Sequence, residues 1–98
     1  MELTPESVYA RQEDVVLRDV AGEQILVPVK HNVADLQAVF VLTGIGAFIW
    51  GLLDGLSTLA AVRAQILDQY DVAPEDAWTD LGAFVGELSQ AGLVVRRD

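Results

Sequence analysis

Hydrophobic residues change their rhythm along this chain near Thr43. Before that point they alternate or run in short bursts, as strands do; after it they recur every three or four residues, as on a helix face. Residues 14–20 hold Val15, Val16, Leu17 and Val20 and are rich in strand formers. Ala21-Gly22-Glu23 is a tight-turn sequence, and residues 24–31 follow with Ile25, Val27 and Val29 on one face, so the two stretches predict a β-hairpin. Pro28 has no N–H to give to a ladder, which places it where that side of the strand faces outward. After a loop around residues 32–35, residues 36–42 predict a third strand, with Val39 and Val41 on one side and Phe40 and Leu42 on the other.

From Thr43, which can cap a helix, the spacing of Ile45, Phe48, Ile49, Leu52 and Leu53 predicts a first helix. Asp54-Gly55 ends it, with Gly55 suited to the left-handed position past a helix end. Ser57 or Thr58 starts a second helix, whose stripe is Leu59, Val62, Ile66 and Tyr70, joined by Leu67, and Asp71-Val72-Ala73 breaks it. Pro74 fits the first turn of a third helix, where Glu75 and Asp76 suit the positive end, although Ala73 is a poor cap. Ala77, Leu81, Phe84, Leu88 and Ala91 share a face there; Trp78 and Val85 lie beside it, in line with Gly82 and Ser89. Gly92 stops the helix, and residues 93–95 suit a short extended tail. Residues 1–12 are polar, with Pro5, and predict a loose N-terminal arm ahead of a folded domain over 13–98. Three strands and then three helices define an α+β chain, an order that also describes a winged helix-turn-helix.

A chain of 98 residues holds one domain with a modest core. Its apolar fraction of 52% is high, so either the core is unusually complete or some apolar surface awaits a partner. The net charge of −9, with Lys and Arg totalling 6, argues against nucleic acid, whose affinity for proteins depends on clustered cations. The chain has no cysteine, hence no disulfide framework, which fits the cytoplasm. Its first residues lack the basic and apolar regions of a signal peptide. Residues 36–53 carry no charge, but Gln37, Thr43, Gly44, Gly46 and Gly51 interrupt them, and they read as two buried elements rather than a membrane span.

Candidate chemistry is sparse. His31 is the only histidine and falls at a predicted strand end, where a solvated loop side chain is expected. With no cysteine, the only nucleophile arrangement conceivable is Ser or Thr with His31. The acidic residues sit mostly near helix ends or on polar faces, without the regular spacing of a calcium loop. Gly44-Ile45-Gly46 lacks the remaining glycine and the strand that a phosphate-binding turn needs. No catalytic residue, metal site or cofactor is therefore expected. Trp50 and Trp78 can be core, or one of them can line a groove. Val39, Phe40 and Val41 can be sheet interior, or an edge to which a peptide strand adds.

Ile25-Leu26-Val27-Pro28, the run 36–42, and Gly46-Ala47-Phe48-Ile49-Trp50-Gly51-Leu52-Leu53-Asp54-Gly55 resemble the PqqD family. Ile49-Trp50 followed by Leu53-Asp54-Gly55 is the most specific piece. Thr58, Gln69-Tyr70-Asp71-Val72, Asp80-Leu81, Phe84-Val85, Leu88 and Gly92-Leu93 continue the likeness, over residues 14–95 in all. It departs at Thr43-Gly44, where the family often has Asn and a longer residue. The resemblance implies a winged helix-turn-helix-like fold, a three-stranded antiparallel sheet followed by a three-helix bundle. It implies a non-enzymatic peptide chaperone that binds the leader of a ribosomally made precursor peptide by strand addition and presents it to a modifying enzyme, typically a radical SAM enzyme. In the namesake pathway the product is pyrroloquinoline quinone. Carried over by position, the groove has Leu36, Ala38, Val39, Phe40, Val41 and Leu42 on one wall and Trp78, Leu81, Gly82, Val85 and Ser89 on the other, with Gly82 letting the peptide come close.

Two other readings stay open from the residues alone. One is a structural subunit of this fold with no peptide ligand. The other is a winged-helix DNA-binding protein, which Glu75, Asp76, Asp80 and Glu87 on the third helix oppose. An edge strand could also pair with a second copy, giving a homodimer.

Overall fold

The structure is a computed structural model that describes residues 3–28 and 40–97. The predicted strand end at 29–31 with His31, the loop 32–35 and positions 36–39 lie outside the described residues. In chain order the elements are β1 (Val8–Arg11), β2 (Val15–Val20), β3 (Glu23–Pro28), β4 (Phe40–Leu42), α1 (Gly44–Leu52), β5 (Asp54–Thr58), α2 (Leu59–Gln69), α3 (Pro74–Gln90) and β6 (Val94–Arg96).

The α+β class holds, but one sheet followed by three helices does not. Among the described residues there are two separate antiparallel sheets of three strands, ordered β5-β1-β6 and β2-β3-β4. The predicted hairpin is β2 and β3, with Val20 opposite Glu23 across Ala21 and Gly22. Both turn residues are left-handed (φ 54° and 87°), the mirror-image turn whose twist matches that of a hairpin. β4 alternates as expected, with Leu42 buried and Val41 largely exposed on the other face, and Leu26 of β3 is buried, whereas β2 is buried only at Val15 and exposed from Leu17 to Val20.

The stretch expected to be a loose arm instead contains the central strand of the other sheet. Tyr9 and Ser7 are fully buried. The carbonyls of Ser7 and Pro5 accept the Leu59 and Ala60 N–H groups at the start of α2, each at 2.9 Å. Arg11 donates to the Trp50 and Gly51 carbonyls at 3.1 and 2.9 Å, placing a cation at the negative end of α1, whose own last turn has no basic residue. These partners lie some 40 residues or more away in sequence, so no local pattern announces them. The Asp54-Gly55 helix stop also needs correction. α1 ends at Leu52, and the following residues form β5 along β1. Gly55 (φ 81°) sits where the β1–β5 register shifts, and a side chain there would come within 3.1 Å of the Ala10 methyl.

The helix boundaries follow the expected capping chemistry. Thr43 Oγ1 accepts the Gly46 N–H at 3.1 Å, and Thr58 Oγ1 accepts the Ala61 N–H at 3.2 Å. Ala73 makes no side-chain cap, but Pro74 at the first turn needs no partner for its nitrogen. α3 closes with Gly92 left-handed (φ 76°); Gly92 N–H donates to Ser89 O and Leu93 N–H to Leu88 O, the two bonds of a Schellman close. The core gathers Leu26 and Leu42 from the hairpin sheet, Tyr9 and Val94 from the other, and Ile49, Trp50, Leu59, Val62, Ile66, Leu81, Val85 and Leu88 from the helices. Trp50 is thus core. Among the described residues no helix is long and apolar enough to cross a membrane.

Candidate functional site

In the hairpin sheet β4 is a terminal strand: it pairs with β3 through Leu26↔Phe40, Ile25↔Val41 and Gln24↔Leu42, and no described strand lies on its other side. In an antiparallel pair alternate residues turn their N–H and C=O toward the partner, so those between face outward. Beside this rim lies a cleft of about 320 Å³. Phe40, Val41 and Leu42 form its β4 side, Ile45, Gly46 and Ile49 of α1 its floor, and Asp80, Phe84 and Glu87 of α3 its far wall. Gly46 packs under Phe84: a methyl on it would stand 3.6 Å from the ring and 3.4 Å from Thr43 Oγ1, ordinary contact distances. Phe40, Ile45 and Phe84 are only half-buried, leaving apolar surface facing the cleft.

The expected groove residues divide. Phe40, Val41 and Leu42 line the cleft. Leu36, Ala38 and Val39 lie outside the described residues. Leu81 and Val85 are fully buried in the core, so they back the helix wall without offering surface. Gly82 and Ser89 point to the opposite flank of α3, where they line a second cleft, of about 470 Å³, with Leu3, Tyr9, Gly86 and Gln90. A methyl on Gly82 would stand 3.8 Å from the Leu3 side chain, on the flank of α3 away from β4. Trp78 lines neither cleft; Arg63 of α2 stacks over its ring at 5.5 Å. The residues missed were Asp80, Phe84 and Glu87 as a wall, together with the α1 floor. Their spacing of four and three places them on one line of a helix, a signal that the sequence did contain.

Although the second cleft is larger, it is the poorer receptor for an extended chain. Its strand, β1, already pairs with β5 on one side and β6 on the other, so it has no backbone rim to share. The ionisable side chains lining the first cleft are Asp80 and Glu87, and among the described residues no cluster of His, Cys, Asp or Glu could hold a metal ion. One perturbed carboxylate stands apart from both. Asp54 accepts the Leu56 and Ser57 N–H groups at 2.9 and 2.8 Å, and these bonds, Leu56 foremost, hold its pKa below the ordinary value. The group is structural, closing the turn into β5.

The sequence profile of coenzyme PQQ synthesis protein D (PqqD) matches residues 15–94. The chain belongs to the PqqD family. The PqqD match runs from the first residue of β2 to the first residue of β6. It therefore includes β4, α1 and α3, which build the open cleft, and leaves β1 outside. Among solved structures this PqqD-family chain shares its fold with TbiB1 in complex with the TbiA(beta) leader peptide, at a TM-score of 0.69 and 22% identity, over 87% of this chain and 93% of that one. Among curated proteins none matches the sequence significantly.

Proposed function

We propose that this protein is a peptide-capture module with a winged-helix-like architecture. The leader of a ribosomally made precursor peptide adds as a fourth strand along β4 and lays its side chains between α1 and the Asp80–Phe84–Glu87 line of α3. The module then presents the peptide to a modifying enzyme, for which a radical SAM enzyme is the favoured class, in the cytoplasm where such precursors are made. The product need not be pyrroloquinoline quinone. The observation that carries this reading is the edge of β4, uncovered by any described strand, beside a largely apolar cleft. The family match and the leader-bound relative of the same fold support it. Leu36, Ala38 and Val39 extend the proposed rim on sequence alone. The role needs no catalytic group and no cofactor.

The energetics suit a binder that is selective rather than tight. Each backbone hydrogen bond added at the rim contributes about 1 kcal/mol net. Ordering a free leader costs roughly 2–5 kcal/mol. A short rim cannot meet that cost alone, so apolar anchors on Phe40, Ile45 and Phe84 must supply the remainder. Titration of the labelled protein with precursor leaders, followed by amide NMR, tests the assignment. The largest shifts are expected at Phe40–Leu42, Gly46 and Phe84. Shifts centred on Gly82, Ser89 and β1 would move the site to the other flank of α3, and no response to any leader would favour a purely structural subunit or a rim taken by a second copy.

A further inference from the structure

The α3 wall of the open cleft is not simply apolar. Phe84 is flanked by Asp80 one turn before and Glu87 one turn after, both exposed, and no Lys or Arg is among the described residues lining the cleft. Among the described cations two are engaged elsewhere: Arg11 on the α1 carbonyls and Arg63 on Trp78. An apolar anchor site bracketed by two carboxylates, in a chain of net charge −9, favours a cation on each side of whatever apolar group it receives.

Resting on the capture function proposed above, we infer that the cleft selects a cationic leader. Its recognition core is an apolar residue seated against Phe84, with Lys or Arg two positions before and two positions after it. The spacing follows from two periodicities. Asp80 and Glu87 are seven helical residues apart, about 10 Å along the axis. Strand residues two places either side of an anchor share its face and are about 13 Å apart. Each basic side chain therefore makes up only a small offset, well within the reach of a long flexible stem. Residues one place from the anchor face away from α3 and are left unselected. Acidic leaders are rejected by the same two carboxylates, which is how such a module could tell its own precursor from others.

The test is a selection from a displayed library of random twelve-residue peptides, sorted on the full-length protein and, in parallel, on the D80N/E87Q variant. Winners from the wild type are expected to carry Lys or Arg at both second-neighbour positions of a Leu, Ile, Val or Phe. Their affinity should fall about five-fold on the double variant and weaken steeply with salt. Library winners from the double variant should lose the basic preference while still shifting the Phe40–Leu42 amides. Wild-type winners that bind at Phe40–Leu42 but show neutral or acidic flanks overturn the inference and leave the capture function standing. If sorting enriches no peptide that touches β4, both fall.

Discussion

The sheet β5-β1-β6 and the sheet β2-β3-β4 each border a cleft against one flank of α3, and they bring different strands to it. On one flank the strand beside the cleft is the central one: β1 lies between two partners, and the residues before it accept the first N–H groups of α2, so that strand has no rim to share. On the other, among the described residues, β4 pairs on one side only and borders a cleft floored by α1. Equal strand numbers thus place a central strand beside one cleft and a terminal strand beside the other. The family match over residues 15–94 takes in β4, α1 and α3, together with β5 and α2, and leaves β1 outside.

The largest expected effect separates the two sheets. Tyr9→Ala removes a fully buried ring from the sheet β5-β1-β6 and should cost about 3–5 kcal/mol in urea unfolding, a large share of the stability of a domain this size. The fraction still folded should bind leader peptides with unchanged affinity. Loss of affinity out of proportion to loss of fold would mean that the sheets are coupled. Phe84→Ala tests the cleft beside β4. Leader affinity measured by calorimetry should drop about ten-fold, as for a central anchor, while stability falls by only about 1–2 kcal/mol because the ring is half-buried.

Smaller effects sharpen the picture. Ala21 holds a left-handed conformation that L-residues other than Asn and Asp avoid. Ala21→Asn should stabilise the β2–β3 hairpin by about 0.5–1 kcal/mol on thermal unfolding, with no change in binding. Last is the turn into β5. The Asp54 pKa is lowered in the folded chain, so its contribution to stability is present above the ordinary aspartate value of 3.8 and is lost as pH falls below it. Asp54→Asn should leave an acid unfolding curve that is flatter in that range, and an unaltered curve would show that the two backbone bonds contribute nothing through charge.

The same contrast explains what the sequence disclosed. Local chemistry was legible: the Ala21-Gly22 turn, the Thr43 and Thr58 caps, Pro74 at a helix start and Gly92 at its end each act within four residues. Of the expected stripe Ala77, Leu81, Phe84, Leu88 and Ala91, the structure buries Ala77, Leu81 and Leu88, leaves Phe84 half-buried at the cleft and exposes Ala91 past the helix end. The sheet β5-β1-β6 was not legible. Val8-Tyr9-Ala10-Arg11 is too short to announce a strand, and Asp54-Gly55-Leu56-Ser57-Thr58 is rich in residues that strands disfavour; both exist because each pairs with a segment far along the chain. The cleft was half legible. Its β4 wall could be placed from alternation, but the stripe of α3 has two flanks, and only the three-dimensional path of the chain decides that Asp80, Phe84 and Glu87 turn to β4 while Gly82 and Ser89 turn to Leu3 and Tyr9.

The position of β1 has a practical side for anyone handling the protein. A polypeptide trimmed at the family boundary, or clipped by a protease in the turn before Val15, would leave β5 and β6 without their common neighbour and strip α1 of its guanidinium. Two raw strand edges and the greasy undersides of Leu53, Leu59 and Leu93 would then meet solvent together, and such a fragment should clump long before its peptide site could be assayed.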